Sequence, residues 1–297
     1  MTTAPRRGGF TLIELLVVMA LIAILAAIAA GAFFRVRANA EVSTTQSTLE
    51  KLNAGIDRKW KAVLDQAAIE AKNTPSSFQN ACGNDPDRIR VVLTYMKLKN
   101  EFPTSVAEAT NAVSFGGLTL PARTGAFAPL SAYTGTSNEE RSAACLFLAL
   151  TATGSGGEVF DVTPLQSQVR TINGVQMFVD SWGRPIVFVR QAYATELDAA
   201  PYSPGAARDP IDPLNKLTGW GNLTTFWDVI RNNPAQYNPG GMVPGTYTNN
   251  RNWVPTVVSF GPDENMGTLL GNPGSSTDAG NDNLISFRLR RAGMKGN

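Results

Sequence analysis

The chain has 297 residues, 43% of them hydrophobic, with 26 basic against 24 acidic side chains and a formal net charge of +2. That apolar content supports one large domain or two small ones, and the mixed charges suggest neither disorder nor a nucleic-acid-binding surface. Histidine is absent, which excludes Ser-His-Asp and Cys-His nucleophile machinery and every His-ligated zinc or iron site.

Met1 to Gly9 is short and polar, carries Arg6 and Arg7, and leads into Gly9-Phe10-Thr11-Leu12-Ile13-Glu14. Leu15 to Phe34 then runs for 20 residues without a charged side chain. At a rise of roughly 1.5 Å per residue this just spans a hydrocarbon core of about 30 Å, which predicts one transmembrane helix over about residues 12–34. A secretory signal peptide fits part of the pattern, with small-x-small sites at Ala27-Ile28-Ala29 and Ala30-Gly31-Ala32. A plain signal anchor fits as much. Neither accounts for Glu14, because a carboxylate in an apolar span costs roughly 2.5–3.5 kcal/mol at mid-bilayer and serves no purpose there.

The junction Gly9-Phe10-Thr11-Leu12-Ile13-Glu14 resembles the class III leader of type IV prepilins and type II secretion pseudopilins: Gly before the cut, Phe after it, Glu five residues into the mature chain. The resemblance implies that residues 1–9 are a leader, that a prepilin peptidase cuts between Gly9 and Phe10, and that Phe10 is then N-methylated. It also implies a single pass through the inner membrane, a periplasmic globular part, and later assembly into a filament. The cut creates a cationic amine at Phe10, with Glu14 a little over one helical turn along. A buried carboxylate that meets such an amine is far less costly than a lone one, so Glu14 is expected to contact Phe10 of a neighbouring subunit and set axial register.

Helical patterning continues from Glu41 to about Lys72, with Val42, Leu49, Leu52, Ile56, Trp60 and Val63 forming one apolar stripe. Phe10 to Lys72 would thus form a spine of about 90 Å, with Gly31 and Gly55 as candidate interruptions. Asn73-Thr74-Pro75-Ser76-Ser77 ends it. Asp85-Pro86 predicts a helix to about Asn100, and Ser137-Asn138-Glu139-Glu140 has capping-box spacing ahead of Ala143 to Leu150. Gly116-Gly117 reads as loop. Cys82 and Cys145 either pair after export or remain two buried free thiols.

From Val175 the period changes. Val175 to Val179 and Pro185 to Val189 read as strands joined by Asp180-Ser181-Trp182-Gly183-Arg184, and Thr256 to Phe260 and Leu284 to Leu289 as two more. Between them lies a Pro/Gly/Asn-rich stretch with one helix near Leu223 to Arg231. The predicted fold class is α+β: a long N-terminal α-helical spine, half transmembrane and half amphipathic, packed on a small antiparallel β-sheet. The globular part would occupy residues 73–297, with helical or loop insertions at about 73–170 and 194–255.

Asp180-x-Trp182-Gly183-x-Pro185 is similar to the D-P-W-G-x-P turn of type II secretion major pseudopilins. Ser259-Phe260-Gly261-Pro262-Asp263, with the later Asp282-Asn283-Leu284-Ile285, is similar to their S-x-G-x-D... D-I ending. In that family the intervening loop holds a structural calcium, which implies ligands at Asp263 and Asp282; Asp278 joins them on composition. Hard oxygen ligands on a glycine-containing loop suit calcium, while a solvated acidic loop has the same composition.

The expected function is a non-enzymatic subunit of a type II secretion pseudopilus or type IV pilus-like filament. Its partners would be itself, other pseudopilins, the prepilin peptidase and an inner-membrane assembly platform. The rival is a membrane-anchored binding or carbohydrate-active module, for which Trp220, Trp227 and Trp253 could line a glycan groove. Asp209-Pro210-Ile211-Asp212 reads as a turn, and Asn222-Leu223-Thr224 matches a glycosylation sequon.

Overall fold

The computed structural model describes residues 12–154, 159–192, 197, 209–231, 254–262, 283–286 and 289. The chain divides into two compact units, Met1–Ser43 and Thr44–Asn297.

The first unit contains the start of helix α1 (Leu12–Glu70). Every residue from 12 to 40 is exposed, so a continuous run of Leu, Ile, Val, Ala and Phe faces outward on all sides. A helix apolar all round is suited to a non-aqueous surrounding rather than to water. Among the described residues it is the one helix long and apolar enough to cross a membrane. Arg37 donates to Glu41 at 2.9 Å, an exposed i,i+4 pair just beyond the apolar run. The helix passes through Gly31 and Gly55 without a break, so neither candidate interruption is used.

In the second unit α1 becomes one-sided. Leu49, Leu52, Ile56 and Val63 of the expected stripe are fully buried at helical spacing and Ala67 continues it, while Val42 and Trp60 are half-buried. A short 3-10 turn at Ala71–Asn73 and an extended Thr74 ahead of Pro75 end it, since proline disfavours helical geometry in the residue before it. Helix α2 spans Ser76–Ala81. Helix α3 (Pro86–Glu101) begins where Asp85 accepts from the amides of Asp87 and Arg88, the predicted cap. Helix α4 (Val106–Thr110) starts at Ser105 and α5 (Asn138–Thr151) at Ser137, each serine oxygen accepting an amide three residues on. Such caps satisfy donors the helix itself cannot.

Strands β1 (Val113–Phe115) and β2 (Leu118–Leu120) form an antiparallel hairpin, so Gly116-Gly117 is a tight turn rather than open loop, both glycines at positive φ. Strands β3 (Val169–Ile172) and β4 (Val175–Phe178) form another, turning at Asn173-Gly174 with φ of 49° and 89°. Two consecutive left-handed residues give the twist that matches paired strands. Strands β5 (Val187–Ala192), β6 (Val254–Ser259) and β7 (Leu284–Ile285) form a three-stranded antiparallel sheet in that order.

The sequence predicts one sheet from four runs; the structure pairs β4 with β3 instead and joins it to β5 by the single bridge Val179–Pro185. Proline lacks the N–H that would continue a ladder. Helix α5 is the element packed on β4 and β5, with the Ser142 hydroxyl donating to Phe188 O at 2.7 Å and accepting from Phe188 N at 3.1 Å. Helix α6 (Leu223–Arg231) lies where expected and packs on α3 and β1. Tyr95, Phe115, Trp220, Phe226 and Trp227 stack there at centroid distances of 5.0–5.6 Å. The segment predicted as a helical insertion therefore supplies much of the core. The overall order, a long apolar helix followed by further helices and small antiparallel sheets, is the expected α+β fold.

Candidate functional site

Glu14 stands in the first turn of α1, the sole acidic group at the head of the uncharged stretch. Gly9 and Phe10 lie outside the described residues.

The second place where a sequence motif acquires geometry is the Asp180 turn. Asp180 is buried, 3% exposed. Its Oδ1 accepts from the amides of Trp182 at 3.0 Å and Arg184 at 2.9 Å, and its Oδ2 from the Ser259 hydroxyl at 2.7 Å. Ser259 Oγ in turn accepts from Gly261 N at 3.3 Å. The two carboxy-terminal motifs thus meet through one hydrogen bond across the β4–β5 turn and the end of β6. Burial pushes the Asp180 carboxyl above the ordinary range, and the Ser259, Arg184 and Trp182 donors offset this only in part.

The same turn holds the long helix. Thr45 Oγ1 donates to Ser181 Oγ at 3.0 Å and accepts from Ser181 N at 3.1 Å, and Thr45 is fully buried. Sequence reading missed this residue: a threonine on the buried face of a helix carries no local signal of the amide it meets across the fold.

The remaining site expectations divide. Asp263, Asp278 and Asp282, the calcium candidates, lie outside the described residues, as does Trp253. Among the described residues no group of His, Cys, Asp and Glu is arranged to hold a metal ion. Cys82 and Cys145 are both buried free thiols, the second of the two readings, so the pairing is not made. Burial pushes the Cys82 thiol up to about 12 and Cys145 upward as well, which keeps both inert. Trp220 and Trp227 are 8% and 2% exposed and belong to the aromatic core, which removes them from a glycan groove. Asp209 to Asp212 forms a turn, with Asp212 N donating to Asp209 O at 3.0 Å.

Comparison with known proteins bears on the amino-terminal end. Residues 5–30 match the family described as prokaryotic N-terminal methylation motif. The type IV major pilin protein PilA of Myxococcus xanthus (strain DK1622) is 36% identical over 84 residues, which is 28% of this chain and 34% of that protein. The match thus spans about a third of the relative's length. No solved structure matches the chain. The amino-terminal segment thus carries a match to the methylation motif.

Proposed function

We propose that the chain is a structural subunit of a type IV pilus-like or type II secretion filament, cut between Gly9 and Phe10, N-methylated at Phe10 and assembled through its amino-terminal helix. The observation that carries this reading is the all-round exposed apolar stretch of α1, headed by Glu14 and lying within or beside the matched residues 5–30. In this reading residues 1–9 are the leader, the helix is held in the inner membrane, and the unit from Thr44 onward is presented on the periplasmic side. The partners are further copies or related subunits, a prepilin peptidase and an assembly platform.

Within that class the secretion-type subunit is favoured by the Asp180–Ser259 contact, which gives the D-x-W-G-x-P and S-x-G-x-D patterns a joint structural role. A calcium at Asp263 and Asp282, with Asp278, belongs to this finer reading; it rests on the oxygen-rich donor set of the loop. Chelator should then lower the melting temperature and added calcium restore it, whereas an unchanged melt argues for a solvated loop.

Intact-mass measurement of the mature protein, from membranes with and without active prepilin peptidase, tests the main proposal. A chain beginning at methylated Phe10 is expected with the peptidase and an uncut chain without it. An uncut chain in both, or one beginning near Ala32, would return the chain to an ordinary anchor or secretory signal.

A further inference from the structure

A cleft of about 580 Å³ opens in the second unit between α1 and the segment around Phe160. That volume lies within the roughly 300–1,000 Å³ common for small-molecule sites. Its two walls differ in chemistry. The opposite wall is apolar, formed by Leu150, Val159, Phe160, Pro164 and Leu165, while α1 contributes Lys51, Arg58 and Lys59 beside the small residues Ala54, Gly55 and Ala62. Positions 51, 54, 55, 58, 59 and 62 fall on one helical face, so the cations flank a smooth floor.

The floor is shaped by Gly55. A Cβ there would lie 2.5 Å from the Phe160 ring, so glycine lets the ring press against the helix backbone, where it also meets Phe178 edge-on at 6.2 Å. Asp161 is the acidic residue of the lining, and its Oδ1 already accepts from Thr163 N at 2.9 Å. Lys59 is 5% exposed and donates to the carbonyls of Ala149 and Ala152 at the end of α5. Burial pushes its amine down to about 8, with Glu101 opposing the shift and Arg123 adding to it, so its charge is committed to the end of α5 and the head-group cations are Lys51 and Arg58. Lys51 and Arg58 are exposed, and Arg58 Nε donates back to Ala54 O at 3.4 Å, beside the floor.

We propose that this cleft binds a medium-chain anionic amphiphile of the fatty-acid class, its tail against the apolar wall around Phe160 and its head paired with Lys51 and Arg58. The charge asymmetry excludes a cationic amphiphile, and the apolar wall gives a short anion little to bind. The inference rests on residues of the second unit alone and stands independently of the filament proposal.

The test is calorimetric titration of the full chain in zwitterionic phosphatidylcholine nanodiscs with decanoate, and separately with decyltrimethylammonium and acetate. Empty nanodiscs provide the partition baseline. Saturable decanoate binding at one per chain is expected, with no saturable uptake of the cation or of acetate. The charge-reversed variant Lys51→Glu/Arg58→Glu, altered only at exposed positions, should weaken decanoate at least tenfold; Val159→Asp should do the same from the apolar side. Equal binding of decanoate and decyltrimethylammonium, or undiminished binding in the charge-reversed variant, overturns the proposal in favour of partition into the bilayer. Loss of filaments in that variant with no decanoate binding by the parent chain assigns the face to a second copy, and also overturns it. Normal filaments without decanoate binding would sink the cleft and leave the filament proposal untouched.

Discussion

Arg190 is among the largest fully buried side chains, and it lies on β5 with every neighbour in that strand also buried. Its guanidinium grips Glu108 through two bonds of 2.8 and 3.1 Å and donates to Phe102 O at 2.9 Å. Glu108 also accepts from Thr104 N and Oγ1. Burial would push the Glu108 carboxyl up, but Arg190 and Lys99 outweigh it and hold it below the ordinary range. Removing one partner strands a charge in the core, so Glu108→Ala is expected to destabilise by about 3–5 kcal/mol, while the paired Glu108→Leu/Arg190→Met loses less. Chemical denaturation of the two variants checks the order; an alanine variant as stable as the parent would mean water reaches Arg190. Asp209 makes the opposite case. It is 3% exposed, and burial pushes its carboxyl up to about 7, helped by the nearby Asp212 charge. A raised acid favours the fold fully below its unfolded value near 3.8, and this contribution is lost as pH climbs through about 7. Asp209→Asn keeps an acceptor for Ile211 N, which now bonds Asp209 Oδ1 at 2.9 Å. The variant should gain stability relative to the parent as pH rises from about 3.8 to about 7; parallel stability curves would show that Asp209 titrates alike in the folded and unfolded chain.

The Asp180 turn shows what one side chain does for an element. Its carboxylate serves two amides and one hydroxyl, and the turn in turn seats Thr45 of α1. Leaving each buried donor without an acceptor costs about 1–3 kcal/mol. Asp180→Ala should therefore lower stability by several kcal/mol and speed hydrogen exchange at Trp182 and Arg184, while Ser259→Ala costs about 1 kcal/mol. Unchanged protection at those amides would show the turn is held by other means. Elements governed by such local chemistry are legible in sequence. The Asp85 and Ser137 caps fix the starts of α3 and α5, and the stripe Leu49, Leu52, Ile56 and Val63 faces inward as its spacing requires. Asn173-Gly174 carried an equally local hairpin signal, and it would have found β3; a strong turn dipeptide outweighs the weak alternation of Val169 to Ile172. Which hairpin joins which sheet is set elsewhere. The break at Pro185, the seating of α5 on β5 through Ser142 and the Arg190–Glu108 pair depend on residues 46 and 82 positions apart, and no local pattern announces them.

At the scale of the molecule, two chemistries share one helix. Residues 12–40 of α1 are exposed, with 15–34 free of charge, and from Thr45 onward the buried positions follow a single stripe. The amino-terminal part was readable because its signal is compositional, a charge-free span with one misplaced carboxylate, and composition needs no partner to be seen. That carboxylate is where the filament proposal is most exposed to test. If Glu14 neutralises the amine of a neighbouring subunit, its removal leaves the apolar span intact, so insertion and cleavage after Gly9 proceed, and the span becomes more apolar and easier to hold in the membrane. What is lost is the charge pair that sets register. Glu14→Ala and Glu14→Val should each give processed, membrane-held subunits that fail to enter filaments, and Glu14→Asp should restore assembly in part because the charge returns on a shorter arm. Processing is read by intact mass and assembly by sheared-filament yield. Normal filament yield from Glu14→Ala would mean that packing of the apolar helices alone sets register. Failure of cleavage in the same variant would instead assign Glu14 to recognition by the peptidase.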